Sequence, residues 1–201
     1  MLDGWARRKL DPLLNRIAAG VARGGIGADA VTLAGCGIGL AAAALVAVGW
    51  FGIAFVLIVL SRLADGVDGA VARINGPTDL GGFLDIVLDF LFYGAVPLGF
   101  VLFDPAANGV AGAVLLFAFY VNGASFLTFA VMAEKRRLVS TARGSKSLFF
   151  TTGIAEAGET LAVFLLACLF PAWFPVLAYA FASITLYTAL SRIVLAGREL
   201  R

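Results

Sequence analysis

Six long apolar runs divide the chain, at roughly residues 29–49, 51–72, 79–103, 108–133, 147–170 and 173–195. Each run offers about the 20 apolar residues that a helix needs to cross a bilayer. Short turns or more polar connections separate one run from the next. The pattern therefore predicts an all-α fold, an integral membrane bundle of six transmembrane helices.

A further helix is predicted before the first run. Asp11 and Pro12 suit an N-cap and a first helical position, and Gly24-Gly25 should end the helix. Apolar residues follow Pro12 at helical spacing, namely Leu13, Leu14, Ile17 and Val21. We expect residues 1–27 to form a cytoplasmic amphipathic segment whose helix lies at the membrane interface, and residues 28–201 to complete the single domain as the six-helix bundle.

The composition agrees with a membrane protein, since 61% of the residues are hydrophobic, 14% are charged and the mean hydropathy is +0.97. There is no histidine, which excludes histidine-based acid/base catalysis and histidine metal ligands. Any chemistry must therefore use carboxylates, lysine, arginine or hydroxyl groups. We expect lipid partners and no nucleic acid.

The basic residues give the expected orientation. All 15 lie on one side of the predicted bundle: five before the first run, two near the second connection, five around the fourth connection and three near the C-terminus. Because cytoplasmic connections are enriched in Lys and Arg, both termini are expected in the cytoplasm.

Two pairs of aspartates interrupt the second and third runs, where ionised groups are costly. At about 100° per residue, Asp65 and Asp68 lie within roughly 60° on one helix, and Asp85 and Asp89 within roughly 40° on the next. The Gly76-Pro77 turn between the runs predicts two antiparallel neighbouring helices whose carboxylate faces point at each other.

Four carboxylates this close repel one another unless a cation lies between them. Hard oxygen ligands suit Mg²⁺ or Mn²⁺ better than zinc, so the pattern predicts a divalent site with two ions. Because Mg²⁺ usually shares its coordination shell with substrate phosphates, a diphosphate substrate is also indicated.

The same segment resembles the signature of the CDP-alcohol phosphotransferase family, DxxDGxxAR followed by GxxxDxxxD. The matching positions are Asp65, Asp68, Gly69, Ala72, Arg73, Gly81, Asp85 and Asp89. The overall pattern is similar to a small bacterial branch of that family, which places the protein in the bacterial inner membrane with its active site facing the cytoplasm. Homodimerisation is implied by the resemblance alone.

The resemblance implies a reaction. Asp65, Asp68 and Asp85 would bind two divalent ions with the donor diphosphate, and Asp89, also at the metal site, would act as general base on a small alcohol. The expected donor is CDP-diacylglycerol, the transferred group a phosphatidyl group, and CMP is released during phospholipid biosynthesis. Gly69, Ala72 and Gly81 would let the donor approach the backbone closely.

Other candidate residues have two interpretations each. Arg73 could contact the donor phosphates or extend to the interface, and Asp29 and Thr32 resemble a family nucleotide-contact element but also suit an N-cap and a bond within the helix. Asp79 is expected to cap the third span together with Thr78. Arg62 is expected to pair with the carboxylates or the lipid surface.

An acceptor pocket is predicted from charged residues in the last third of the chain, namely Arg143, Lys146, Glu156, Glu159 and Arg192. The basic residues suit an acceptor phosphate, and the two glutamates suit an amine or several hydroxyls. Topology alone also explains basic residues in a cytoplasmic connection, and contacts between helices also explain the glutamates and Arg192.

Two other classes of protein place carboxylates in a membrane. A divalent-cation transporter needs a pathway to the far side, and the outer half of these spans offers few ionisable groups. An intramembrane prenyltransferase uses Asp clusters and Mg²⁺ on a diphosphate but lacks the Asp-Gly-x-x-Ala-Arg pattern. Metal uptake into liposomes, or consumption of a prenyl diphosphate, would select one of these.

Overall fold

The computed structural model describes residues 2–136 and 157–200, with side chains described from residue 11 onwards. Apart from the short turns between helices, the chain in these ranges is helical and contains no strand, which confirms the all-α prediction for the described part. The helices are α1 Leu2–Arg23, α2 Ala28–Ala47, α3 Phe51–Asn75, α4 Asp79–Phe103, α5 Pro105–Lys135, α6 Ala157–Leu169 and α7 Phe174–Glu199, with a short 3-10 turn at Pro171–Trp173.

Four of the described stretches are long and apolar enough to cross a membrane: α2, α4, α5 and the stretch Pro171–Glu199 that contains α7. The 25 residues of α3 would also span a bilayer, but its apolar run is interrupted by charged side chains. The predicted span at 147–170 lies partly outside the described residues, and its described part, α6, has 13 residues. The length and composition of the described helices therefore support four membrane spans, and the total of six remains a prediction.

The first helix differs from the prediction at its start. It begins at Leu2 and passes through Pro12, so the Asp11-Pro12 start was wrong. A proline removes one intrahelical hydrogen bond but need not end a helix when the residues before it favour one, and residues 5–10 include Ala, Leu, Arg and Lys.

The predicted end of α1 is confirmed. Gly25 has a φ of +76°, and the Ile26 N–H donates to the Val21 carbonyl at 3.3 Å, which is a Schellman-type end. Leu14 and Ala18 are buried against α3, whereas Leu13 and Ile17 are exposed. The helix is therefore docked on the bundle along one apolar face and leaves a second apolar strip open.

The arrangement of α2, α3 and α4 positions the site. We predicted that α3 and α4 would pack as neighbours, but α2 packs against both of them and the two are not closely packed along their length. Glycines permit this, because a Cβ at Gly35 would lie 3.0 Å from the Ala64 Cβ, and one at Gly99 would lie 2.5 Å from the Ala43 carbonyl oxygen. The core beyond the site is aromatic, with Phe100 and Phe174 stacked at 4.5 Å.

Candidate active site

Three carboxylates converge where α3 and α4 face each other. One oxygen from each of Asp65, Asp68 and Asp85 lies within 4.8 Å of the others. Asp68 is buried at 6% exposure, and its Oδ2 has no hydrogen-bond partner. A buried anionic oxygen without a donor is costly, whereas a bound cation would satisfy it. These three side chains therefore fit a divalent cation with oxygen ligands.

Asp89 has a different partner. Its Oδ1 accepts a hydrogen bond from Arg62 Nη1 at 2.6 Å, and the same guanidinium nitrogen lies 3.6 Å from Asp65 Oδ1. Asp65, Asp68, Asp85, Asp89 and Arg62 all line one small cavity. Three of the four predicted carboxylates thus form the compact group, while the fourth is held beside it by an arginine. The expected pairing of Arg62 with the carboxylates is observed.

A larger cavity, with a volume of about 780 Å³, opens next to the carboxylates. Every residue predicted to contact the donor lines it, namely Asp29, Thr32, Gly69, Ala72, Arg73 and Gly81, together with the four aspartates. Ala157, Gly158 and Leu161 at the start of α6 contribute to its wall. Tyr93, one turn beyond Asp89, also lines this cavity, although nothing in its apolar run marked it as a site residue.

The first turns of α2 and α4 meet at this cavity. A Cβ at Gly81 would lie 3.0 Å from both Asp29 Oδ1 and Thr78 Oγ1, so only glycine leaves this space free. Thr78 caps α4 by accepting the Gly81 N–H at 3.0 Å. Asp79 is exposed in the first turn and is not among the residues that line the cavity.

At the start of α2, the structure distinguishes the two interpretations for Asp29 and shows both features for Thr32. The N-cap is Gly27 rather than Asp29, so a capping role for Asp29 was wrong. The Gly27 cap makes no side-chain hydrogen bond, and Asp29 in the first turn lines the cavity. Thr32 donates to the Ala28 carbonyl at 3.0 Å, the bond within its own helix that we considered, and also lines the cavity.

The predicted acceptor residues are only partly described. Arg143, Lys146 and Glu156 lie outside the described residues, and Glu159 lies half-buried in the first turn of α6. Arg192 is buried on α7, where its Nη1 donates to α5 at the Asn122 carbonyl (3.1 Å), Asn122 Oδ1 (3.0 Å) and Ser125 Oγ (2.7 Å). Neither Glu159 nor Arg192 is among the described residues that line the large cavity.

Comparison with known proteins adds a family and a fold. A family model described as CDP-alcohol phosphatidyltransferase matches residues 26–195. Inner membrane protein YnjF of Escherichia coli (strain K12) is 45% identical over 193 residues, which is 96% of this chain and 94% of that protein. Archaetidylinositol phosphate synthase of Methanothermobacter thermautotrophicus is 32% identical over 160 residues, 79% of this chain and 71% of that protein.

Two crystal structures of Mycobacterium tuberculosis phosphatidylinositol phosphate synthase (PgsA1) share the fold, each with a TM-score of 0.66 and 24% identity over 90% of this chain. One has CDP-DAG bound and is covered over 92% of its length. The other is in complex with manganese and citrate and is covered over 87%. At this identity, the likeness shows a common arrangement of helices.

Proposed function

This chain belongs to the CDP-alcohol phosphatidyltransferase family, and we propose that it transfers a phosphatidyl group from CDP-diacylglycerol to the hydroxyl of a small alcohol, releasing CMP. One observation carries the proposal: three carboxylates converge around the partnerless Asp68 Oδ2 at the wall of a cavity of about 780 Å³. A donor diphosphate needs both features, a cation site and space beside it.

Asp65, Asp68 and Asp85 would hold the cation, and we expect two ions in the site, with Asp89 as a further ligand. Mg²⁺ or Mn²⁺ would neutralise charge on the donor diphosphate and on the transferring phosphoryl group. The manganese reported for the M. tuberculosis synthase supports a divalent ion of this kind.

The cavity residues provide the donor site in this proposal. Gly69 and Gly81 leave the backbone open to the donor, and the Arg73 side chain reaches over Gly69, where a Cβ would lie 3.7 Å from Arg73 Nη1. Its guanidinium suits phosphate oxygens, and Asp29 and Thr32 of α2 also line this cavity. The CDP-DAG in the M. tuberculosis synthase supports a lipid-linked cytidine donor.

Asp89 would act as general base. It takes the proton of the acceptor hydroxyl as the oxygen attacks the β-phosphorus, and CMP leaves with the electrons of the broken bond. The acceptor would be bound by Arg143, Lys146, Glu156, Glu159 and Arg192. The inositol phosphate products in the names of two relatives make a phosphorylated polyol the first acceptor to test.

The proposed setting is a bacterial inner membrane, with six spans, α1 along the interface and a homodimeric assembly. The name of the E. coli relative supports the membrane location. The one-sided distribution of 15 basic residues supports cytoplasmic termini and an active site open to the cytoplasm.

The test is CMP release by the purified protein. CDP-diacylglycerol and Mg²⁺ or Mn²⁺ are incubated with glycerol 3-phosphate, serine, inositol, inositol phosphate, choline or ethanolamine in turn. We expect release that requires the donor, the cation and one acceptor, and that is lost in Asp65→Asn but kept in Asp79→Asn. Consumption of a prenyl diphosphate instead would support a prenyltransferase, and cation uptake into liposomes without CMP would support a transporter.

A further inference from the structure

The ion pair between Arg62 and Asp89 joins two helices that are otherwise not closely packed. Arg62 lies near the middle of α3, and its Nη1 is 2.6 Å from Asp89 Oδ1 on α4. Only 14% of the Arg62 side chain and 30% of the Asp89 side chain are exposed. A charge-assisted bond this short and this shielded restrains both groups far more than an ion pair on the surface would.

Further contacts restrain the guanidinium. Its carbon lies 4.1 Å from the centre of the Phe92 ring, a cation–π distance, and its Nη2 donates to Ser61 Oγ at 3.2 Å. The Ser61 hydroxyl donates its own proton to the Gly35 carbonyl of α2 at 2.7 Å, which leaves its oxygen lone pairs to accept from Arg62. Arg62 is therefore held directly by groups on α3 and α4, and Ser61 links it to α2.

The room for this arrangement comes from Gly39 on α2. A Cβ there would lie 2.6 Å from the Phe92 ring and 2.8 Å from Ser61 Oγ, the two groups that fix Arg62. The absence of a side chain at Gly39 of α2 thus leaves space for the Phe92 and Ser61 side chains that contact Arg62. Arg62 also lines the large cavity, so the pair stands at the edge of the space proposed for the substrates.

We propose that Arg62 is a positioning residue that acts through Asp89, an inference that rests on the proposed function. Arg62 binds Oδ1, which keeps a second lone pair for a cation, and so directs Oδ2 towards the acceptor hydroxyl. In the reaction the acceptor O–H bond breaks, its proton passes to Asp89 Oδ2, the acceptor oxygen bonds to the β-phosphorus and the bond to CMP breaks. Arg62 keeps its own protons throughout.

The proposal is tested with Arg62→Gln, Arg62→Lys, Asp89→Asn and the double variant Arg62→Gln/Asp89→Asn, with the exposed Arg16→Gln as control. We expect Arg62→Gln to lower kcat about 100-fold, as misplacement of a reacting group does, with the donor KM within about twofold of wild type. Arg62→Lys should recover part of the rate, and the double variant should be no slower than Asp89→Asn.

A second measurement separates positioning from collapse of the site. Mn²⁺ titration followed by electron paramagnetic resonance should give Arg62→Gln an affinity equal to or tighter than wild type, since a positive charge 3.6 Å from Asp65 has been removed. Loss of Mn²⁺ binding together with a raised donor KM would show a purely structural role and overturn the proposal.

Two further outcomes would also refute the proposal. One is an unchanged kcat in Arg62→Gln, and the other is a double variant whose kcat falls below that of Asp89→Asn by the same factor by which Arg62→Gln lowers the wild-type kcat. Failure of the proposed function is distinct, because the wild-type protein itself would then release no CMP with any acceptor. In that case the positioning role falls with it.

Discussion

Replacing Asp68 by asparagine should change the stability of the protein in opposite directions with and without a divalent cation. The carboxylate is buried, its Oδ2 has no partner, and it lies within 4.8 Å of oxygens from Asp65 and Asp85. Without a cation, the three negative charges repel one another. With a cation, the same oxygens become ligands.

The size of the stability change in the absence of a cation is estimated from the distance between the carboxylate oxygens. Two unit charges 4.8 Å apart repel by about 3 kcal/mol at an effective dielectric constant of about 20. Solvent reduces the contribution of the exposed Asp85, and burying an amide in place of the carboxylate costs about 1–2 kcal/mol, which leaves a net gain of about 1–2 kcal/mol without cation. For a chain of this size, that corresponds to an unfolding temperature roughly 3–6 °C higher.

With a cation bound, the expected effect of Asp68→Asn on stability changes from a gain to a loss. Mn²⁺ at about 100 times its Kd should stabilise the wild-type protein by about 2.7 kcal/mol, whereas Asp68→Asn loses most of this gain with the ligand. Apparent unfolding temperatures are measured in detergent with EDTA or Mn²⁺, and the exposed Asp79→Asn serves as the matched control. An Asp68→Asn protein that shows the full Mn²⁺ shift, or that is less stable than wild type in EDTA, would refute the cation site.

Three other changes test Asp89 and two glycines. Asp89→Asn should lower turnover by at least about 100-fold, while Mn²⁺ binding by the other three aspartates and cytidine nucleotide binding largely survive, and full turnover would exclude a base role. Gly81→Ala places a methyl 3.0 Å from two polar oxygens at the cavity wall, so donor KM should rise severalfold, whereas Gly94→Ala, with nothing within 4 Å, should leave it unchanged. Gly39→Ala should destabilise the protein by an overpacking cost of about 1–3 kcal/mol and so lower its unfolding temperature, whereas Gly37→Ala, whose methyl meets open space, should not. Equal effects of Gly81→Ala and Gly94→Ala on donor KM, or of Gly39→Ala and Gly37→Ala on stability, would contradict the packing described at Gly81 or Gly39.

The long apolar runs predicted most of the bounds of the membrane helices to within a few residues, because an apolar run in a membrane protein is itself the structural element. The run predicted at 79–103 is the helix Asp79–Phe103, and the run at 29–49 begins one residue after α2 does. The failures lie where one local signal was taken as decisive. Pro12 was taken as a helix start, but the helix-forming residues before it continue the helix to Leu2.

The site was predictable where it depends on spacing within one helix. A separation of three residues places Asp65 and Asp68 on one face of α3, and a separation of four places Asp85 and Asp89 on one face of α4. Three of these four side chains do converge. The Arg62–Asp89 pair spans 27 positions and the Ser61–Gly35 bond 26, so both depend on how whole helices pack. The sequence predicted that Arg62 would pair with the carboxylates, but spacing within one helix did not identify Asp89 as its partner or predict the Ser61–Gly35 bond.

The separation of α3 from α4 is the feature that makes the carboxylate pairs useful. Helices joined by a short turn normally pack directly, and direct packing here would close the carboxylates against each other and leave no room for a diphosphate. Instead α2 approaches both helices through Gly35, Gly39 and Gly99, and the gap near the Gly76 turn is left as the cavity. Glycines therefore have two roles: Gly35 and Gly39 on α2 and Gly99 on α4 allow close packing, and Gly81 keeps space open in the cavity. The glycines of α2, a helix outside the motif, thus help to decide whether the motif can bind a substrate.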